Sequence, residues 1–200
     1  MRNHVAFVFV SLYYVFMNIN RKYQIGVMGS AQDLNYSNDI AQLAEEIGKE
    51  IAKRGHITVY GAEKDYDSLS TAAARGAKSN NGLTVGVTYG KGKDIWDKDG
   101  YTDVIIVTGI ERGGGREFVL VNSCDAIIAI AGGSGTLTEI AIAYQSNIPI
   151  IALKGSGGWA DKLADTFIDA RQRRKVAVTN TPVDAVNEAI AQIELFAIVA

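Results

Sequence analysis

Ala126-Ile127-Ile128-Ala129-Ile130-Ala131-Gly132-Gly133-Ser134-Gly135-Thr136-Leu137-Thr138-Glu139 passes from an unbroken apolar run, through three glycines in four positions, into a helical pattern. A buried strand, a tight turn and a helix N-terminus are the natural reading. The glycines admit left-handed or crowded backbone, and the amides of such a turn face outward, where a phosphate can sit. Leu137, Ile140, Ala141 and Tyr144 supply the apolar face that anchors the helix.

The same alternation extends through the chain. Apolar runs at Ile25–Ser30, Ile57–Tyr60, Leu83–Thr88, Val104–Val107, Ala126–Ala131 and Pro149–Leu153 predict six strands, with a seventh at Val176–Val178. Between the first two, Ile40, Leu43, Ala44, Ile47 and Ile51 recur at spacings of three and four, and the helix closes at Lys53-Arg54-Gly55. Further helices are expected at Ser68–Lys78, around Glu117–Val121, at Trp159–Arg171 and at Val183–Ile193. Glu117–Val121 has strand propensity, but its place between strands four and five makes a helix the consistent assignment. The expectation is a Rossmann-like, doubly wound α/β domain over residues 21–200, with a mainly parallel sheet of six to seven strands and helices on both faces. In such sheets ligands bind beyond the carboxyl ends of the strands, where strand order reverses. The loops after Gly29, Gly61, Gly109 and Ala131 lie at that edge.

Composition narrows the partners. The 200 residues are 48% hydrophobic and 21% charged, with a net charge of −2, a balance without the footprint of a nucleic-acid binder. The basic run Arg171–Lys175 is read as opposing a helix dipole at a C-terminus. Cys124 has no second cysteine to pair with, and His4 and His56 stand far apart, so no metal site is expected. A cytoplasmic protein is the default. Val5–Met17 is apolar but shorter than a membrane-spanning helix needs, which weighs against a membrane partner. Three readings of residues 1–20 stay open: an extension ahead of a true start at Met17, an extra ordered element, or an anchor.

A second glycine-rich segment, Gly113-Gly114-Gly115-Arg116-Glu117, precedes the fourth helix. A cation in a first helical turn opposes the dipole, which makes sense if Arg116 holds an anionic ligand, since a guanidinium suits phosphate bidentately. The alternative is a surface arginine paired with Glu117 or Glu111. Thr136-x-x-Glu139 likewise has two readings: a capping box, or a carboxylate turned to a ligand.

The run from Arg116-Glu117 through Asp125-Ala126 to Gly132-Gly133-x-Gly135-Thr136-Leu137-x-Glu139 resembles the signature of the LOG (LONELY GUY) and molybdenum-cofactor-carrier superfamily. The resemblance covers roughly Gln24 to Leu153. In the LOG branch it implies release of a free base from a nucleoside 5′-monophosphate, with Arg116 and Glu139 matching the catalytic pair. Ala131 stands where that branch has proline, and Gly61-Ala62-Glu63-Lys64-Asp65 replaces a second glycine loop. Those departures lean toward the cofactor-carrier branch, which implies binding of a nucleotide or phosphorylated pterin-type (molybdopterin) ligand, with no cofactor required. The expected phosphate-binding residues are Gly29, Ser30, Gly115, Arg116, Gly132, Gly133, Ser134, Gly135 and Thr136. The resemblance also implies a homodimer or larger homo-oligomer.

Overall fold

A computed structural model describes residues 21–112 and 115–199; the apolar N-terminal run and the Gly113-Gly114 pair lie outside the described residues. Seven strands form one all-parallel sheet in the order β4-β3-β2-β1-β5-β6-β7. They are β1 (Gln24–Gly29), β2 (Ile57–Gly61), β3 (Leu83–Thr88), β4 (Val104–Val107), β5 (Ala126–Ile130), β6 (Ile150–Leu153) and β7 (Ala177–Thr179). The helices are α1 (Asn38–Lys53), α2 (Leu69–Lys78), α3 (Arg116–Asn122), α4 (Ser134–Gln145), α5 (Gly158–Leu163) and α6 (Pro182–Val199). The expected doubly wound fold is the observed one.

Strand β5 decides the layering. Its five residues are all buried, and alternate side chains enter opposite cores. Ala126, Ile128 and Ile130 join Ile47 and Ile51 of α1, Ala72 and Ala73 of α2, and Ala185 and Ala189 of α6. Ile127 and Ala129 join Leu120 of α3, Ile140 and Ala143 of α4, and Ala160 of α5. From β1 the chain steps outward to β2, β3 and β4, then returns to β5 on the other side of β1, with Val27 beside Ile128. The reversal of winding therefore falls between β1 and β5.

Serines start the two helices that flank β2. The Ser37 hydroxyl accepts from the Ile40 amide, and the Ser68 hydroxyl accepts from the Thr71 amide at 3.0 Å. Helices α1 and α2 cross with their backbones touching. A Cβ on Gly48 would lie 1.8 Å from the Ala73 carbonyl oxygen, and one on Gly76 would lie 1.9 Å from that of Glu45. Only glycine fits at either place.

One expected helix is shorter than its pattern. Trp159–Arg171 reads as helical, but α5 stops at Leu163 and Asp165 takes a left-handed φ of 62°. The Asp165 amide donates to the Val176 carbonyl and the Val176 amide to the Thr166 carbonyl, so β7's approach captures the segment. Arg171–Lys175 consequently follows an irregular stretch and caps no helix, and Arg174 is buried.

Candidate functional site

A crevice of about 380 Å³ opens at the carboxyl edge of the sheet, over the β1/β5 reversal. Of the residues expected there, Gly29, Ser30, Arg116, Gly133, Ser134, Gly135 and Thr136 line it, together with Glu139. Gly132 and Gly115 have other tasks. The Gly132 amide donates to the Ser30 hydroxyl at 2.9 Å, and a Cβ there would meet Thr136 at 2.4 Å. Gly115 is the N-cap of α3, with φ 153°.

Hydrogen bonds on both sides fix the turn after β5. The Ala131 amide donates to the Ser156 hydroxyl at 2.7 Å, and that hydroxyl donates to the Leu153 carbonyl at 2.6 Å. The carbonyls of Ala131 and Gly132 accept from the amides of Ala160 and Trp159 at the start of α5. With those two peptides committed, the chain enters α4 at Gly133. Ser134, Gly135 and Thr136 form the first turn, where amides have no intrahelical acceptor, and the N-cap supplies no side chain. Three donors at the positive end of a twelve-residue helix thus border the crevice.

This arrangement excludes the capping-box reading of Thr136-x-x-Glu139. The N-cap is Gly133, not Thr136, so no capping box forms. Glu139 is 6% exposed and lines the crevice. Burial pushes its carboxyl up to about 8, the nearby Arg116 guanidinium opposing the shift and Glu117 and Glu63 adding to it.

Ala131 has a left-handed φ of 52°. Proline, locked near −65° and lacking an amide hydrogen, fits neither this backbone nor the bond to Ser156. The Ala131 departure from the LOG pattern therefore goes with a backbone here that proline would not fit.

Arg116 opens α3 and is 5% exposed, so it is not a surface arginine. Its Nη2 lies 3.2 Å from a Glu63 carboxylate oxygen and 3.3 Å from one of Glu117, while Nε and Nη1 have no acceptor among the described residues. Gly61 lets the guanidinium through: a Cβ there would fall 2.1 Å from Nη1. Arg112 places Nη2 2.9 Å from the second Glu63 oxygen and stacks near the Tyr66 and Tyr89 rings.

Glu63, Arg112, Glu117, Ser68, Ser70 and the Asp33–Leu34 rim were not among the expected site residues, yet all border the crevice. Glu63 carried a signal, a charge at the carboxyl end of β2 in place of a glycine. The serines carried none, because Ser68 reads as a helix cap and Ser70 acts by accepting from the Gly29 amide at 3.1 Å. Among the described residues no group of three or more acidic, histidine or cysteine side chains is disposed to hold a metal ion. Nor is any helix among them long and apolar enough to cross a membrane.

Residues 22–186 match the SLOG cluster4 family. An uncharacterized protein of Archaeoglobus fulgidus is 34% identical over 131 residues, 66% of this chain and 80% of that protein. The cytokinin riboside 5′-monophosphate phosphoribohydrolase of Mycobacterium tuberculosis is 28% identical, over 74% of this chain and 83% of its own. Among solved structures, the molybdenum cofactor carrier protein of Chlamydomonas reinhardtii superposes with a TM-score of 0.69 at 29% identity, covering 86% of this chain and 98% of that one. The molybdenum cofactor binding protein of Rippkaea orientalis does so with a TM-score of 0.70 at 27% identity, covering 87% and 98%. The chain belongs to the SLOG cluster4 family, within the superfamily that joins LOG phosphoribohydrolases and molybdenum-cofactor carriers.

Proposed function

We propose that the crevice binds a phosphorylated small molecule, a nucleotide or a phosphorylated pterin-type cofactor, and holds it intact. The observation that carries this reading is the first turn of α4, whose three open amides border the same space as the Arg116 guanidinium. A phosphoryl group seated there takes hydrogen bonds from Ser134, Gly135 and Thr136 and a charge-assisted contact from Arg116. The donor set fits a phosphate, and the likeness to molybdenum-cofactor-binding proteins supports a pterin as the ring. Glu63 at the β2 edge, where a glycine loop would leave room for a ligand, favours a carrier over a hydrolase.

Glu139 supports a second reading, a LOG-type phosphoribohydrolase. With its carboxyl raised to about 8, Glu139 carries a proton at neutral pH inside the crevice. Cleavage of an N-glycosidic bond needs such a proton on the departing base, while water adds to the ribose carbon through an oxocarbenium-like transition state.

One experiment separates the two. The purified protein is incubated with a panel of nucleoside 5′-monophosphates, and the products are resolved by chromatography beside a mass spectrum of whatever co-purifies. The carrier reading expects a bound, uncut phosphorylated ligand and no free base. Base and ribose 5-phosphate appearing with the wild type, and absent with Glu139→Ala and Arg116→Ala, would overturn it.

A further inference from the structure

We propose that Glu63 is an internal anion that sets the charge of the ligand, so that the crevice accepts one phosphoryl group and disfavours two. The inference rests on the phosphate-binding reading above and concerns its specificity. Glu63 is 6% exposed and follows β2 by two residues. One carboxylate oxygen lies 3.2 Å from Arg116 Nη2 and the other 2.9 Å from Arg112 Nη2. A single anion thus pairs with both guanidinium groups that border the crevice, accepting a hydrogen bond from Arg116 through one oxygen and lying within ion-pair distance of Arg112 through the other.

The backbone holds that carboxylate in place. The Glu63 carbonyl accepts from the Trp96 amide at 2.7 Å, and the Ala62 amide donates to the Val87 carbonyl at 3.0 Å. Formal charge then decides what remains for a ligand. The guanidinium charges of Arg112 and Arg116 are matched by the carboxylates of Glu63 and Glu117, with Asp33 a further anion on the rim, which leaves the first-turn amides of α4 and the unpartnered Nε and Nη1 of Arg116 as the free attraction. These suffice for one phosphoryl group. A second must displace Glu63 from both arginines and leave a buried carboxylate without a partner, a costly exchange.

Calorimetric titration of the full chain with inorganic phosphate and pyrophosphate, and with AMP and ADP, tests this. The wild type is expected to bind phosphate at least as tightly as pyrophosphate, and AMP more tightly than ADP. Glu63→Gln should shift the pyrophosphate-to-phosphate affinity ratio upward by about tenfold, the worth of one charge-assisted contact regained. Glu46→Gln removes the same charge from the surface of α1 and should leave the ratio where it was. A wild type that prefers pyrophosphate overturns the proposal, as does a ratio unmoved in both Glu63→Gln and Glu63→Ala. If the wild type binds none of the four, the phosphate-binding reading itself fails and this inference with it. The wild-type preference needs no variant, so the test survives misfolding of either substitution.

Discussion

The turn after β5 and the loop after β2 stand one strand apart at the same edge of the sheet, and they furnish the crevice in opposite ways. From Ala131 to Gly135 the first uses three glycines, commits the Ala131 and Gly132 amides to Ser156 and Ser30, and sets the free first-turn amides of α4 at the crevice edge. From Gly61 to Asp67 the second keeps one glycine, to pass Arg116, and otherwise fills the edge with charge. One half supplies backbone donors whose position follows from helix geometry. The other supplies a side-chain network whose members can be exchanged one at a time. Substitutions in the first should therefore act on folding, and those in the second on ligand choice.

The most severe break in that comparison is Ala131→Pro. It forces a φ of 52° toward −65° and removes the hydrogen bond to Ser156, so a loss of about 3 kcal/mol or more is expected, read as a collapsed denaturant midpoint. Next comes Arg116→Ala on the charged side. It should weaken phosphate binding by about a hundredfold in calorimetry, the scale of a lost charge-assisted pair. An unchanged affinity would move the ligand away from α3.

Ser156→Ala is expected to cost about 1–3 kcal/mol, because the buried Ala131 amide loses its acceptor. Its unfolding curve should move while the phosphate-to-pyrophosphate ratio holds, which separates the two halves directly. Glu139 gives a pH test. Its folded carboxyl sits near 8 and an unfolded one near 4 (about 4.3), so between those values the folded chain binds the extra proton. Stability then falls as pH rises across that window. Melting followed from pH 5 to 9 should show a decline that Glu139→Gln lacks. The smallest effect belongs to Ala131→Gly, where relief of the left-handed backbone, worth about 1–2 kcal/mol, is offset by loss of a buried methyl, about 0.8 kcal/mol. A change under about 1 kcal/mol in the unfolding free energy is expected.

The sequence carried the β5 half well and the β2 half poorly, for physical reasons. Periodicity and glycine placement are local, so Ala126–Glu139 could be read as strand, turn and helix without knowledge of any neighbour. Glu63 and Arg116 are 53 positions apart and meet because β2 and α3 adjoin in the fold. Nothing in their local sequence announces a shared carboxylate. The Thr136-x-x-Glu139 spacing satisfied two readings, and the capping box fell to a Gly133 cap that spacing cannot reveal. The overextended Trp159–Arg171 helix has the same origin: pairing with the Val176 region, distant in sequence, overrode a helical pattern.

The close crossing of α1 and α2, where Gly48 faces Ala73 and Gly76 faces Glu45, has a mechanical consequence. It welds α2 to α1, and the β2 loop runs into α2 through Ser68. That loop is thus a short span clamped at both ends, by the sheet at Gly61 and by the paired helices at Leu69. Rotation of the Glu63 and Arg112 side chains is then the readiest adjustment, and it would redistribute charge within the crevice.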